Sequence, residues 1–421
     1  MFKFIHAADI HLDSSLRGLE RYEGSPVEEI RSATRRAFDN LIKFSIEEKV
    51  AFVLLAGDLY DGDWKDYNTG LYFTDRMARL REAGIQVFAV AGNHDAASQI
   101  TKHLRVPDNV TVFSTRAPEQ FILKSIDVAV YGQGFATRSV TEDLAQTYPQ
   151  GDSQLLNIGL LHTCLDGKPG HEPYAPCTVD GLRSKGYQYW ALGHVHKGEV
   201  VSRNPWIVFP GNIQGRHIRE TGSKGCTLIT VDNGEIAEVK HHALDVLRWH
   251  LCELGISSSE TVDDVYELVR GGLQESLDAA EGRSVAVRLV LHGTGPAHSA
   301  LHAHREHWVQ EYRALATGLG GAGIWLEKVS IDTRPPVSAD EIIARDDALG
   351  GLLRAIRDME LDQAALGDLA TEVSMLRQKL PPAILAGQDK YDPADPEQLK
   401  ENLEDIKELL VSRLLNSEQE L

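Results

Sequence analysis

The sequence lacks any hydrophobic run long enough to cross a bilayer, and residues 1–6 are followed by Asp9 before a stretch of signal-peptide length can form. This excludes a membrane-spanning helix and a secretory leader as expectations from the sequence. We therefore expect a cytoplasmic protein with no membrane attachment.

Cysteine is also scarce, and the four present are far apart, with no CxxC pair: Cys164, Cys177, Cys226 and Cys252. Disulfide frameworks and structural zinc sites depend on closely spaced cysteine pairs. The sequence thus predicts reduced, buried thiols and no catalytic cysteine.

Positive charge is in deficit, because 43 Lys and Arg residues stand against 62 Asp and Glu, for a net charge of −19. Non-specific binding to nucleic acid depends on lysines and arginines that displace counterions. A surface that coats DNA by charge alone is excluded. Any DNA chemistry must rely on local basic segments and bound metal.

What the sequence does contain is an alternation of short apolar runs with helical patterns over its first part, which predicts an α/β fold. Predicted strands cover residues 2–6, 51–56, 85–91, 155–161 and 187–192. Predicted helices cover residues 27–49 and 66–83. Open α/β sheets bind their ligands beyond the carboxyl ends of strands, and the unusual polar residues of this chain fall there.

The 421 residues suffice for more than one core, and the pattern divides them into three parts. Residues 1–242 are predicted to form the catalytic domain. Residues 243–337 read as a small second α/β unit, with helices at 261–279 and 300–315 and strands at 284–291 and 323–331. Residues 338–421 form an acidic tail with two apolar stripes at helical spacing, which predicts a helix, a loop and a helix.

Five polar clusters follow the predicted strands in order: Asp9-Ile-His11, Gly57-Asp58, Gly92-Asn93-His94-Asp95, His162 and Gly193-His194-Val195-His196. An Asp-x-His, a Gly-Asp or a lone histidine is common by chance. All five together, each at the end of a predicted strand, are not expected by chance. Their oxygen and nitrogen donors predict a metal centre.

The chemistry of phosphodiester hydrolysis explains why these residue types occur together. Two metal ions about 3.5–4 Å apart neutralise the phosphoryl oxygens and activate a water molecule, and a carboxylate suits the position between them. We assign Asp58 as that bridge, and predict His94 beside the site as the residue that stabilises the transition state or protonates the leaving oxygen. The predicted ligands of the first metal are Asp9, His11 and His196, and those of the second are Asn93, His162 and His194.

The cluster order resembles that of the calcineurin-like metallophosphoesterase superfamily. Residues 7–13 (AADIHLD), 56–61 (AGDLYD) and 209–225 (FPGNIQGRHIRETGSKG) are similar to bacterial DNA-repair exonucleases of the SbcD and YhaO type. The resemblance covers residues 1 to about 240 well and the remainder only in layout. It implies a β-sandwich flanked by helices, a DNA nuclease activity and manganese as the metal. The donor set itself also suits iron, zinc or magnesium.

The same resemblance implies further features. Residues 243–337 would cap the catalytic domain, and the tail would dock against an ATPase partner of the SMC-like or YhaN type. Helices near residues 66–105 would pair two subunits. One departure is evident, because Asp61 stands where some nucleases of this family carry a second histidine.

The segment 203–224 is the clearest basic patch near the proposed metals. Its residues are predicted to hold DNA phosphates: Arg203, Arg216, His217, Arg219 and Lys224. The alternative is a solvated loop without a ligand. Two other functions stay open, namely a phosphomonoesterase or cyclic-nucleotide phosphodiesterase for a small substrate, and a scaffold without catalysis. A small substrate requires neither the second unit, the tail nor this loop, and a scaffold requires none of the metal ligands.

Overall fold

The structure is a computed structural model that describes most of the chain. The described residues are 1–14, 27–61, 67–97, 106–166, 174–320, 323–336, 344, 346–358, 368–374, 395, 399, 403, 406, 407, 410 and 414. Among the helices of this described part, none combines the length and the apolar character that crossing a membrane requires.

Strands and helices alternate early in the chain, and strands dominate its middle. The strands are β1 (Phe2–Ala7), β2 (Phe52–Ala56), β3 (Gln86–Val90), β4 (Val110–Val112), β5 (Glu119–Leu123), β6 (Val128–Gln133), β7 (Leu156–His162), β8 (Tyr189–Gly193), β9 (Glu199–Arg203), β10 (Trp206–Phe209), β11 (Gly225–Asp232), β12 (Glu235–Ala243), β13 (Leu247–Gly255), β14 (Ser284–Thr294) and β15 (Ile324–Arg334). The helices are α1 (Val27–Glu47), α2 (Tyr67–Glu82), α3 (Asn93–Ala97), α4 (Val179–Arg183), α5 (Val262–Ala279), α6 (His298–Ala303), α7 (Arg305–Gly320) and α8 (Ala348–Arg357).

Two six-stranded mixed sheets form the centre of the fold. The first has the order β12-β11-β1-β2-β3-β4, and the second has the order β5-β6-β7-β8-β10-β9. Within them β1, β2 and β3 run parallel, as do β7, β8 and β10. A separate three-stranded sheet has the order β13-β14-β15.

The two large sheets face each other across an apolar core, because side chains alternate along each strand. In β1 the ring of Phe4 joins the core between the sheets, where Phe88 of β3 and Ile158 of β7 also lie. The neighbouring Ile5 belongs instead to the core on the outer face of the first sheet, which includes Phe38 of α1. A sandwich flanked by helices follows from this alternation, and the predicted α/β fold class is confirmed.

The predicted parallel strands and the two early helices agree with the structure to within two residues. The helix predicted at 300–315 is instead two helices, α6 and α7, which His304 separates with an irregular backbone (φ −129°, ψ 43°). Strands such as β5 and β12 are not predicted, because neither contains a fully buried residue and neither shows the long apolar run of a buried strand.

The chain forms two compact units. The first comprises Met1–Cys252, Arg270–Leu289 and Arg313–Val329, and it contains both six-stranded sheets. The second comprises Glu253–Val269, Val290–Tyr312 and Ser330–Leu421, and in it His298 Nδ1 lies 3.0 Å from the hydroxyl of Thr333. These interleaved ranges do not test the predicted boundaries at 242 and 337, which stay predictions.

Most of the predicted tail lies outside the described residues. Within it the structure describes α8 and a helical stretch over 368–374, and otherwise only isolated positions. The predicted helix, loop and helix, and the ATPase partner expected to bind them, therefore stay predictions. Pairing of subunits through residues 66–105 also stays a prediction.

Candidate metal centre

The five polar clusters converge at one edge of the sandwich. Asp9 and Asp58 follow the carboxyl ends of β1 and β2, and Asn93 follows that of β3. His162 is the last residue of β7, in the opposite sheet. Its Nδ1 lies 2.9 Å from the carbonyl oxygen of Ala56 at the end of β2, so the strand ends of the two sheets meet there.

Three glycines make this convergence possible, for two different reasons. Gly57 has a φ of +90°, a conformation that favours glycine, and a Cβ there would lie 2.5 Å from Nδ1 of His162. Gly92 and Gly193 are instead required by space. A Cβ on Gly92 would clash with Oδ1 of Asp58, and one on Gly193 would clash with the Ala56 carbonyl oxygen.

Four predicted ligands adopt the left-handed backbone region, which is rare for residues other than glycine. They are Asp9 (φ 51°), His11 (φ 46°), Asp58 (φ 52°) and His194 (φ 102°). Such conformations cost about 1–3 kcal/mol each and persist where the surroundings enforce them, often at functional sites. Here these backbone conformations direct the four side chains toward the same cluster of donor atoms.

The donor atoms of these side chains lie close together. Three groups each place one donor atom per residue within 4.8 Å of one another: Asp9, His11 and His196; His11, Asp58 and His94; and Asp9, Asp58 and His162. Nε2 of His11 lies 3.2 Å from Nε2 of His196, and Nε2 of His162 lies 3.0 Å from Oδ1 of Asn93. The ring of His194 lies 5.2 Å from that of His162, measured between centroids. All seven predicted ligands are therefore gathered in one place.

The electrostatics of the cluster favour bound cations. Burial raises the pKa of Asp9 well above its usual value, and the charge of nearby Asp58 raises it further. Burial likewise raises the pKa of Asp58. Burial lowers the pKa of His162 to about 3, so this imidazole is neutral and retains a lone pair. Two buried carboxylates beside neutral imidazoles are costly without compensating positive charge and fit divalent metal ions.

Glu220 holds the predicted ligand His196 in place, a role that the sequence did not reveal. Its Oε1 lies 2.6 Å from Nδ1 of His196, which leaves Nε2 of that ring directed to the cluster. Its Oε2 accepts hydrogen bonds from Nδ2 of Asn212 (2.9 Å) and from the backbone N–H of Arg216 (2.7 Å). A carboxylate behind a ligating histidine fixes its tautomer and orientation. The only signal in the sequence was a lone acid within a basic loop.

Asp95 supports the turns around Asp58 and was likewise not predicted as a site residue. Its Oδ1 accepts the backbone N–H groups of Leu59 (2.9 Å) and Tyr60 (3.0 Å), and its Oδ2 accepts that of Gly92 (3.0 Å). Burial and the nearby charge of Asp58 raise the pKa of Asp95 to about 7. The residue ties the loops after β2 and β3 together.

Asp61 and His94 form a pair beside the ligands. Oδ1 of Asp61 lies 3.1 Å from Nδ1 of His94 and 3.6 Å from Nδ1 of His11. Its Oδ2 accepts a hydrogen bond from the hydroxyl of Ser14 at 2.8 Å. The hydrogen bond to Asp61 raises the pKa of His94. The His94 side chain remains 29% exposed, so the ring is partly open to solvent.

The residues of the predicted basic patch have four different placements. Arg216 lies at the cluster, with Nη1 donating to the Ser14 hydroxyl (3.2 Å). His217 and Arg219 are exposed on the same loop. Lys224 is buried, and its Nζ donates to the carbonyl oxygen of His196 at 3.0 Å, so it supports the loop from within. The structure does not bring Arg203 to the cluster. It pairs with Trp206 at the start of β10, whereas the site lies beyond the carboxyl end of that strand.

Comparison with known proteins agrees with this geometry. Residues 2–198 match the calcineurin-like phosphoesterase family, and residues 249–334 match the middle domain of metallophosphoesterase YhaO. The uncharacterized metallophosphoesterase YhaO of Bacillus subtilis is 37% identical over 297 residues, which cover 70% of this chain and 72% of that protein.

The chain belongs to the calcineurin-like metallophosphoesterase superfamily. A more distant relative is the DNA double-strand break repair protein Mre11 of Sulfurisphaera tokodaii. It is 24% identical over 316 residues, covering 69% of this chain and 73% of that protein. A further Mre11, from Haloferax volcanii, is 22% identical over 371 residues, covering 87% of this chain and 76% of that protein. As a metallophosphoesterase, the protein has a candidate two-metal site of Asp and His residues.

Proposed function

We propose that this metallophosphoesterase is a metal-dependent DNA nuclease that hydrolyses phosphodiester bonds during DNA repair or DNA end processing. The observation that carries the proposal is the gathering of seven potential metal ligands at the strand ends, with the partly exposed His94 beside them. Support for DNA as substrate comes from the relatives that are named double-strand break repair proteins.

In this proposal Asp9, His11 and His196 hold one cation, and Asn93, His162 and His194 hold a second, with Asp58 between them. Two divalent cations, when bound, neutralise the phosphoryl oxygens and lower the pKa of a water molecule. The mixed oxygen and nitrogen donors suit manganese, which we propose as the metal. The chain's own contribution is to fix these donors before the substrate arrives.

His94 is proposed to donate a proton to the leaving oxygen. Its Nδ1–H donates to Asp61, which favours the doubly protonated ring and leaves a proton on Nε2. The backbone N–H of His94 donates to Oδ1 of Asp58 at 2.9 Å, which fixes the residue relative to the ligands. A positioned acid of raised pKa assists departure of an alkoxide.

Arg216 is proposed to orient the scissile phosphate. Its guanidinium lies 3.9 Å from Asp61 and 3.8 Å from Glu220, measured between nitrogen and carboxylate oxygen atoms, and its side chain is only 16% exposed. A cation held in this way beside the ligands attracts a phosphodiester and needs no rearrangement. The exposed His217 and Arg219 flank it on the same loop.

The proposal is tested by incubating the manganese-loaded protein with three substrates: end-labelled linear duplex DNA, covalently closed circular DNA and p-nitrophenyl phosphate. We expect cleavage of linear DNA. Asp58→Ala should abolish it and reduce bound metal, because the bridging carboxylate is lost. His94→Ala should retain metal and slow cleavage about 100-fold or more, because general acid catalysis contributes roughly that factor.

His304→Ala serves as a matched control, since His304 is an exposed histidine that takes no part in the cluster. Metal content is measured by elemental analysis of each variant. An active Asp58→Ala protein would overturn the assignment. Hydrolysis of p-nitrophenyl phosphate with all DNA left intact would instead identify a phosphatase for small substrates.

A further inference from the structure

A pocket of about 370 Å³ lies beside the metal cluster, at the open edge between the two large sheets. Its walls come from the edge strands β9 and β12 and from their neighbours β10 and β11. Lys197, which directly follows the predicted ligand His196 in the sequence, is one of the residues that line it. Neither the proposed metals nor His94 occupies this space.

The interior of the pocket is apolar. Val200 of β9, Val208 of β10 and Val239 of β12 line it, together with Phe209 and Pro210. Val200 is 45% exposed, so its side chain is open to solvent. Pockets that bind small organic groups combine such apolar walls with a few polar atoms, and their volumes start at about 300 Å³.

The rim of the pocket is basic and rich in hydroxyl groups. Lys197 is exposed and makes no ion pair with any carboxylate in the part of the chain that the structure describes. The hydroxyl of Ser223 lies 3.3 Å from Nε2 of His241, and both line the pocket. Lys224 closes the floor beside His196. Glu199 contributes a single carboxylate. Two lysines against one glutamate give the pocket a local positive charge on a chain of net charge −19.

We propose that this pocket binds one nucleotide of the DNA strand being cleaved. The phosphate interacts with Lys197 and with the Ser223–His241 pair, and the nucleobase packs against Val200 and Val239. An apolar wall beneath a basic rim matches a nucleotide, because the nucleobase is flat and largely apolar on its faces whereas the phosphate is charged. A free inorganic phosphate has no group to cover the valines. The proposal rests on the proposed nuclease function and adds to it a binding site for the strand.

Because of where the pocket lies, a nucleotide bound in it affects which bond is cleaved. Lys197 and His196 are consecutive residues, and Lys224 bonds to the carbonyl group of His196. A nucleotide held at the rim therefore fixes the strand relative to the metals and limits which phosphodiester bond reaches them. Phosphate contacts of this kind set register, whereas nucleobase contacts against apolar walls tolerate any sequence.

The test compares steady-state cleavage of a short single-stranded oligonucleotide with that of its abasic counterpart, each relative to bis-p-nitrophenyl phosphate. Lys197→Ala removes the positive charge at the rim of the pocket. Val200→Ser replaces one apolar side chain of the pocket wall, at an exposed position. Lys240→Ala is the matched control, because Lys240 is an exposed lysine that precedes His241 on β12 and does not line the pocket.

We expect Lys197→Ala to raise KM about threefold to fivefold for both strands and to reduce the salt dependence of log kcat/KM by about one unit of slope. Val200→Ser should raise KM about threefold for the oligonucleotide and leave the abasic strand unaffected, since only the nucleobase contacts the wall. Lys240→Ala should match the wild type on both strands.

Equal effects of Lys197→Ala and Lys240→Ala would overturn the proposal, because general surface charge would then explain them. Equal effects of Val200→Ser on the two strands would also overturn it, because no nucleobase would occupy the pocket. A wild-type protein that hydrolyses bis-p-nitrophenyl phosphate but cleaves neither these strands nor linear duplex DNA would contradict the nuclease function itself, which is a separate result.

Discussion

At the scale of single residues, the donors that the structure gathers could be named from the sequence because their chemistry is local, and their role as metal ligands stays a prediction. Asp9, Asn93 and His162 each stand at the end of an apolar run, and a donor in that position is visible in the sequence alone. Glu220 was not predictable, because its role depends on a loop that folds back 24 residues to reach His196. The order of residues along the chain does not show which carboxylate of the loop will face the metal cluster.

The role of Glu220 leads to a prediction about metal affinity. Glu220→Gln keeps the size of the side chain but replaces a charged acceptor with a neutral one, which makes His196 a poorer and less firmly oriented ligand. Changes behind a ligating histidine typically weaken metal binding by about 10–100-fold, and we expect a loss of about tenfold for manganese. Titration of the metal-free protein with Mn²⁺ by calorimetry measures it.

Glu238→Gln is the control for this substitution. Glu238 is an exposed glutamate on β12, so the change removes the same charge without touching the cluster. If Glu220→Gln binds manganese as tightly as Glu238→Gln does, Glu220 has no part in orienting the ligand.

At the scale of elements, the parallel strands were predicted because burial on both faces leaves continuous apolar runs. β2 and β8 are buried at every position, and both were found in the sequence. The antiparallel strands at the sheet edges could not be found in the same way. In β5 no residue is fully buried, so the pairing that makes it a strand comes from β6 and not from its own composition.

Close packing between neighbouring strands gives a second prediction. A Cβ on Gly159 of β7 would clash with the indole ring of Trp190 on β8, a fully buried side chain. Gly159→Ala therefore forces this ring to move, and overpacking of that kind costs about 1–3 kcal/mol. Denaturant unfolding followed by tryptophan fluorescence measures the change in the free energy of unfolding.

Gly271→Ala provides the contrast, because Gly271 lies in α5 with no heavy atom within 4 Å of the added Cβ. Alanine is the better helix former there by about 0.8–1.0 kcal/mol, so this substitution should stabilise the protein. Equal behaviour of the two variants would show that the ring of Trp190 adjusts freely.

At the scale of the whole molecule, the α/β fold class followed from the alternation of strands and helices, and the structure confirms it. The sequence did not reveal that β11 and β12 extend the first sheet beyond β1. β11 lies more than 200 residues from β1 in the chain, and no local pattern encodes its antiparallel pairing with β1, to which β12 is added by pairing with β11.

The metal centre should also affect the stability of the whole protein. Asp9 and Asp58 are buried close together, and each raises the free energy of the folded state while both are ionised and no cation is bound. Manganese that binds the folded chain and not the unfolded chain stabilises it by about 2.7 kcal/mol at a hundredfold excess over Kd. We expect chelation to lower the unfolding temperature measurably.

Differential scanning calorimetry with and without Mn²⁺ tests this expectation. Asp58→Ala should lose most of the difference, because it lacks the bridging ligand. An unfolding temperature that is the same in chelator and in manganese would mean that the cluster holds no ion in the folded protein.

The spread of the ligands along the chain, from Asp9 to His196, has a consequence during translation. A nascent polypeptide that has emerged only as far as β7 has no His194, no His196 and no Glu220, so the ribosome-bound fragment cannot complete the centre. The donors proposed to hold the two cations are therefore assembled only after β8 and the loop that follows it have left the exit tunnel and joined the earlier strands.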